Sequence, residues 1–386
     1  MHILVLSFYY EPDLSAGSFR NTAVVKNISK VIDKDSQVDV ITTLPNRYHS
    51  YLTDAPLYQE NDNVRIWRVP LPAHKNGMLD QSRAFLSYFK AAILQARSEK
   101  YDVVYASSSR LMTAFLGAII SRRYKVPLYL DIRDIFTDSM SDLLEKSPLR
   151  ILLPILRRVE KFTIQQASRV NLVSPGFVNH YKSIDSDKDY SCLTNGIDKE
   201  FIQFDFKNNN KNDNKEIIYA GNIGEGQGLH HIIPLVAKKL GVNWKIRIIG
   251  DGSMKPCLEK SLLGLENVIL EPPVQREKLL EEYRKADVLF LHLNNYQAFK
   301  KVLPSKLFEY AATGKPILAG VAGSAADFIN SNIKNAAVFE PCDDSGFLSG
   351  LEQLSYKPEF RTEFIKKYDR ESIVLQLVNE VIALGV

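Results

Sequence analysis

Cysteine is scarce in this chain, with three in 386 residues, Cys192, Cys257 and Cys342, and no CxxC spacing among them. Neither a zinc site nor a disulfide framework is suggested, and a reducing cytoplasm is the expected location. No uninterrupted apolar run approaches the ~18 residues that a membrane span requires, so membrane contact is expected only at the periphery. Neither sign of charge dominates: 49 basic against 45 acidic residues leave a formal charge of +4. Without clustered Lys and Arg on a recognisable module that balance argues against a nucleic-acid partner. The opening "MHILVLSFYYEPD" has a short apolar run, no basic lead, and an end at Glu11 and Pro12. It is expected as a buried strand rather than a signal peptide. No GxGxxG follows it, which disfavours a dinucleotide-dependent dehydrogenase.

What is present is a rhythm. In the first half "ILVLSF", "VDVITT", "DVVYAS" and "PLYLDI" alternate with amphipathic stretches, among them a helix from about Ser18 to Ile32. The second half repeats the rhythm with "EIIYAG", "WKIRIIG", "VILEPP", "DVLFLHL" and "PILAG". Alternation of this kind predicts an α/β protein with parallel sheets covered by helices on both faces. At 386 residues the chain divides most naturally in two. The polar run "KNNNKNDNK", residues 207–215, cannot contribute to a core and is expected as the linker. Residues 1–206 then form one domain, 216–368 the second, and 369–386 a C-terminal helix able to return to the first. Two doubly wound domains imply a cleft, with ligands beyond the carboxyl ends of the strands.

Three loops at such strand ends draw attention. "YYEPDLSAGSFRN" ends in Gly17, where a ligand can approach the backbone, with Ser18 as a candidate cap and Arg20 in reach of an anion. The alternative is a glycine that merely shapes a turn. "YAGNIGEGQGL" holds four glycines in eight positions between a strand and a helix, an arrangement that turns several N–H groups toward one point and suits a phosphate. It is no P-loop, since Gly226 is followed by Gln227 and Gly228. In "PSKLFEY", Ser305 is the expected N-cap, with Lys306 in the first turn and Glu309 one turn on along the same face. A lysine there is unfavourable for the helix alone unless an anion sits beside it. One helical pitch, roughly 5 Å, is near the reach from a diphosphate to the ribose hydroxyls of the same nucleotide.

These stretches, with "EEYRKADVLFLHL" and "LTNGIDKEF", make the chain resemble, over nearly its full length, a bacterial retaining glycosyltransferase of family 4, which has the two-domain GT-B fold. "YYEPDLSAGSFRN" and "PSKLFEY" are most similar to the O-antigen and capsule branch of N-acetylfucosamine-type transferases. The resemblance implies two Rossmann-like domains facing an interdomain cleft and no metal cofactor. The family motif pairs two glutamates separated by seven residues. Glu309 matches the second, implied to accept hydrogen bonds from the donor ribose, whereas the first falls on Lys301. A basic pair usual around the glycine-rich loop is replaced by Asn222 and Gln227. Compensation for the diphosphate is therefore sought in Lys306, Lys301, Arg20 and the Ser305 N–H. The donor-binding set is Gly17, Arg20, Asn222, Gly224, Gln227, Val274, Ser305, Lys306 and Glu309. In "LDIRDIFTDS", Asp131 and Arg133 are placed on the acceptor side, and Asp134 is preferred to orient or deprotonate the acceptor hydroxyl. Asp134 and Lys301 are the catalytic candidates. Alternatively, Asp131 or Asp134 pairs with Arg133 or caps the next helix.

Two further features are set aside. "DSDKD", residues 185–189, reads as a solvated turn, because Tyr190 stands where a calcium loop needs glycine. His230 and His231, being adjacent on a helix, are expected to face different ways and to make no metal pair. The segment "PLRILLPILRRVEKFTIQQASR", residues 148–169, is basic and amphipathic; it can pack on the first sheet, lie on an anionic membrane, or do both. The resulting expectation is a metal-independent, retaining transferase. It moves a sugar, of N-acetylated hexosamine type, from a nucleotide diphosphate donor, with UDP expected, to a saccharide or polyprenyl-diphosphate-linked acceptor in O-antigen, capsule or exopolysaccharide synthesis. A nucleotide-sugar 2-epimerase and a non-catalytic nucleotide-sugar-binding subunit are the alternatives.

Overall fold

The computed structural model describes residues 1–46, 54–72, 78–108, 111–144, 147–207 and 215–385. They divide into two compact units, residues 1–194 with 371–386, and residues 195–370. The first unit carries β1 (His2–Ser7), β2 (Gln37–Thr43), β3 (Tyr58–Asn61), β4 (Val64–Val69), β5 (Val103–Ser108), β6 (Leu128–Ile132), β7 (Arg169–Leu172) and β8 (Tyr190–Ser191). Their order in the sheet is β3-β4-β2-β1-β5-β6-β7-β8, with only the β3/β4 pair antiparallel. The central strands are buried on both faces and so read as unbroken apolar runs, whereas β4, near the edge, alternates buried Val64, Ile66 and Arg68 with half-buried neighbours.

The second unit carries β9 (Lys215–Asn222), β10 (Trp244–Asp251), β11 (Val268–Glu271), β12 (Val288–His292), β13 (Ile317–Gly320) and β14 (Ala336–Phe339). The order β11-β10-β9-β12-β13-β14 is parallel throughout and reverses direction between β9 and β12. A reversal of that kind is where open α/β sheets bind ligands, because the loops leaving the two neighbouring strands part to opposite faces. Its core packs Ile217, Tyr219, Ile246, Ile248, Val288 and Phe290 of the sheet against Ile232, Ile233, Val236 and Phe347 of covering helices.

Two boundaries differ from the sequence reading. The helix Lys199–Gln203, assigned there to the first domain, belongs to the second unit. Ile197 makes a parallel bridge to Asp369, and the Arg370 guanidinium donates to the Gly196 carbonyl at 2.9 Å. The last helix, Arg370–Ile382, sends Val374, Leu377, Val378 and Val381 into the core of the first unit. Each such side chain contributes about 1.5–3 kcal/mol by burial, so the chain's last turns are integral to that unit. The expected linker at 207–215 lies almost wholly outside the described residues. Likewise the first long helix runs Ala16–Val31 and is capped by Ser15, whose Oγ accepts from the Ser18 N–H at 3.1 Å, rather than by Ser18. Ser15 has the extended backbone that a cap requires.

Candidate donor site

The glycine-rich loop leaves β9 at the point of reversal and is held by side-chain amides rather than by charge. Asn222 Nδ2 donates to Gln227 Oε1 at 2.7 Å, and the Gly224 N–H reaches the same oxygen at 3.3 Å. The two positions expected to be basic thus clasp one another across a single turn of 3-10 helix, Glu225–Gln227. From the end of β12, His292 Nδ1 donates to the Gln227 carbonyl at 2.6 Å while its Nε2 accepts from the Cys342 N–H at 2.9 Å, which fixes a neutral tautomer. Burial pushes the His292 pKa down to about 4, consistent with that role. Asn294 pins the turn again, its Nδ2 donating to the Glu225 carbonyl at 2.9 Å and its N–H to Gly226 at 2.9 Å. The loop is therefore partly ordered before any ligand arrives, which lowers the ordering entropy that binding has to supply.

Lys306 opens the helix Lys306–Ala312 and carries its ammonium back to the end of β9, 5.1 Å from the Tyr219 ring centre. A Cβ on Gly221 would come within 2.1 Å of Lys306 Nζ, and Gly221 has φ = 146°. Only glycine satisfies both conditions, so the ammonium and the loop backbone share one small space. Ser305 does not cap this helix: its backbone is already helical and its side chain makes no capping bond, which removes the expected cap.

One turn on, the Glu309 side chain is 14 % exposed and stands 3.6 Å from Arg276 Nη2. Burial raises its pKa and the Arg276 charge works against that rise. Arg276, at the start of the helix Arg276–Lys285, also meets Asp198 in a close ion pair and Glu200 at 3.3 Å, and its guanidinium lies 5.0 Å from the Phe201 ring centre. Three carboxylates thus share one guanidinium, and Asp198 is steadied further by Arg370. Glu309 is left partly compensated, suited to accept hydroxyl donors. Lys301, half-buried, closes the 3-10 turn Gln297–Lys301, in which Phe299 packs on Gly226 so tightly that a Cβ there would lie 2.7 Å from the ring. Val274 is half-buried two residues before Arg276. Arg276, Asp198 and Asn294 were not among the expected residues. Asn294 lies just after a strand end where ligands were looked for, whereas no local pattern marks Arg276.

In the first unit the structure reassigns two candidates. Arg20 is 1 % exposed and Asp131 fully buried; they pair through Nε at 2.8 Å and Nη2 at 3.0 Å. Arg20 further donates to the carbonyls of Thr194 at 2.7 Å and Leu193 at 3.0 Å, and Asp131 accepts from Tyr105 and Asn171. Burial alone would raise the Asp131 pKa, but the Arg20 charge and bonds outweigh it and hold the carboxylate below its usual range. Buried among these partners, Arg20 is turned into the interior rather than toward a diphosphate, and Asp131 has no face toward an acceptor. Both fasten the sheet. Asp134, just beyond β6, is half-buried beside a small cavity lined by Ser108, Phe136, Glu160 and Tyr181, and burial raises its pKa to about 6. Arg133 is half-buried and its N–H donates to the Ser108 carbonyl at 2.9 Å. Gly17 sits in the first turn of its helix, where a Cβ would meet only ordinary contacts. The rings of His230 and His231, expected to diverge, meet at a tilt of 43° with centres 3.9 Å apart in the first turn of the helix Leu229–Leu240, and His230 Nε2 stands 3.7 Å from Glu225 Oε2.

Comparison with known proteins adds the lineage. The family model described as glycosyl transferases group 1 matches residues 200–370, and the glycosyl transferase 4-like domain matches residues 24–189. A protein provisionally described as the colanic acid biosynthesis glycosyl transferase WcaI of Escherichia coli strain K12 is 30 % identical over 178 residues, 44 % of this chain and 44 % of that protein's own length. Among solved structures, sucrose-phosphate synthase from Thermosynechococcus elongatus superposes with a TM-score of 0.77 at 13 % identity, over 100 % of this chain and 99 % of the other. HepE of Anabaena, solved in complex with UDP and glucose, gives a TM-score of 0.68 at 14 % identity, over 99 % of this chain and 100 % of the other. The architecture is the GT-B fold of two parallel Rossmann-like sheets.

Proposed function

We propose that this chain, which belongs to the group 1, 4-like glycosyltransferases, holds a nucleoside diphosphate sugar on its second unit and transfers the sugar with retention of configuration. The observation that carries the reading is the pairing of Glu309, 14 % exposed and one helical turn from Lys306, with an ammonium that overhangs the backbone of the glycine-rich loop. Lys306 meets the diphosphate there, and Glu309 accepts from the ribose hydroxyls. The Asn222–Gln227 clasp presents the loop N–H groups without adding charge, so Lys306 and Lys301 carry the compensation.

UDP is the favoured nucleotide, by analogy with HepE, which was solved with UDP bound. An N-acetylated hexosamine is the favoured sugar on the motif resemblance, with Lys301 beside it where relatives carry glutamate. In the first unit Asp134 orients the acceptor hydroxyl, and the departing diphosphate takes its proton. The chemistry needs no metal ion.

The proposed acceptor is a saccharide or a polyprenyl-diphosphate-linked saccharide, and one surface of the first unit supports the lipid-linked form. Around the helix Leu153–Gln166, Leu153 and Ile164 point inward, but Ile151 is 79 % and Ile155 55 % exposed among exposed Arg150, Arg157, Arg158 and Lys161. Apolar side chains flanked by cations are what an anionic bilayer surface takes up. Among the described residues no helix is long and apolar enough to cross a membrane. Flotation with phosphatidylglycerol vesicles should carry the protein upward, and Ile151→Ser with Ile155→Ser should abolish it; a protein that stays with the pellet loses the membrane contact.

Calorimetric titration with UDP, GDP and TDP in EDTA tests the donor site. One nucleotide should bind, and Glu309→Ala should weaken it; equal affinity in the variant removes Glu309 from the site. Incubation of the sugar nucleotide with and without a lipid-linked saccharide then separates transfer from 2-epimerisation, which needs no acceptor, and from binding without turnover.

A further inference from the structure

Glu225, His230 and His231 form the one group of three His, Cys, Asp or Glu side chains among the described residues whose potential ligand atoms converge, all lying within 4.8 Å of one another. Two imidazoles and a carboxylate, with room for water, make a donor set for a borderline divalent ion such as Zn2+. A tetrahedral ion with bonds of about 2.1 Å places its ligand atoms roughly 3.4 Å apart. His230 Nε2 and Glu225 Oε2 already stand 3.7 Å apart, and the exposed His231 ring is the one that has to swing in.

Two independent features mark this group as more than a chance meeting of surface residues. The Glu225 carboxylate is held from behind, Oε1 accepting from Tyr296 Oη at 2.8 Å and from Asn294 Nδ2 at 3.4 Å, which leaves Oε2 for a ligand. Hydrogen bonds of this kind to a metal-binding carboxylate fix its direction. His230 is only 8 % exposed, and its Nδ1 is buried with no hydrogen-bond partner. A buried polar atom left unserved is a cost that native folds rarely carry without a reason. With neither ring nitrogen fixed by a strong protein bond, a ring flip offers either one to an ion.

We propose that Glu225, His230 and His231 bind one divalent transition-metal ion of the zinc class, which ties the 3-10 turn of the glycine-rich loop to the first turn of the following helix. The ion takes no part in transfer. It fixes the loop whose amides meet the donor, so bound metal alters donor affinity; this consequence, unlike the site itself, rests on the donor reading above.

The test uses the untagged full chain, stripped with EDTA and titrated with Co2+ by visible absorption. Ligand-field bands saturating at one ion per chain and bleached by Zn2+ are expected. His231→Ala should weaken binding at least tenfold, and Tyr296→Phe, which removes the hydroxyl behind the carboxylate, by about tenfold. Absence of saturable bands, or equal affinity in His231→Ala, overturns the site. A second arm measures UDP affinity with and without Zn2+ in the wild type and in His231→Ala. A zinc effect confined to the wild type supports the loop coupling, and an equal effect or none in both overturns it. If UDP fails to bind under any condition, the donor reading falls while the cobalt titration still decides the metal site.

Discussion

Each unit of this molecule pairs an arginine with carboxylate, one in the first unit and three in the second, and the two do so to opposite ends. In the first unit Arg20 and Asp131 are sealed together, with further bonds to Tyr105, Asn171 and the carbonyls of Thr194 and Leu193. In the second, Arg276 is shared among Asp198, Glu200 and Glu309, and Glu309 stands 3.6 Å off. A closed network specifies a fold; an under-compensated carboxylate at a strand-order reversal is available to a ligand. The same residue types therefore read as structure in one place and as function in the other, and what separates them is how many partners remain to be found.

The sharpest way to break the comparison is to remove one carboxylate from each unit. Asp131→Ala strands the Arg20 charge in the interior and should cost about 3–5 kcal/mol, read as a lowered urea midpoint. Replacing both partners, Arg20→Met with Asp131→Leu, should recover most of that loss, because a buried pair is worth little against well-packed apolar residues. A double variant as unstable as Asp131→Ala would show that the remaining bonds to Tyr105, Asn171 and the Thr194 carbonyl matter more than the charge.

Glu309→Ala should behave the other way. Burial raises the pKa of this carboxylate, so its ionised form is disfavoured in the folded protein and truncation should leave the urea midpoint unchanged or slightly higher. Nucleotide affinity, in contrast, should fall by about 1–3 kcal/mol, the cost of leaving hydroxyl partners unpaired, measured by calorimetry. A large fall in stability would place Glu309 with Asp131, as a structural residue.

Part of this contrast was legible in the sequence. Strands buried on both faces announce themselves as apolar runs, and "PSKLFEY" locates Lys306 and Glu309 because one helical turn is a local distance. The sealed pair was not legible, since Arg20 and Asp131 are 111 residues apart and the nearer partner, Arg133, was the natural guess. Arg276 was missed for the same reason: its partner Asp198 lies 78 residues away. The return of the last helix to the first unit was an option in the sequence, but Ile197 and Asp369, which set the boundary, carry no sequence mark. Ser15 rather than Ser18 caps the first helix, a shift of three residues decided by backbone angle.

The smallest expected effect belongs to Asp134, which lies between the two kinds of carboxylate. It has a hydroxyl neighbour, Ser139 Oγ at 3.5 Å, and burial raises its pKa to about 6. An unfolded chain would release that proton near pH 4. Between those values the folded state binds the extra proton, so stability is greatest at the acid end and falls as the pH rises from about 4 through about 6. Asp134→Asn cannot ionise and should lack this component, giving a difference below about 2 kcal/mol once the partial exposure of the group is allowed for. Urea midpoints of the two proteins from pH 4 to 7 should diverge across that window and run parallel above it. If Asp134 also orients the acceptor, the acid limb of kcat/KM in the wild type should fall in the same interval and flatten in the variant. Parallel midpoints throughout would mean that the carboxylate is as well compensated as Asp131, and the acceptor role would then have to move elsewhere in the first unit.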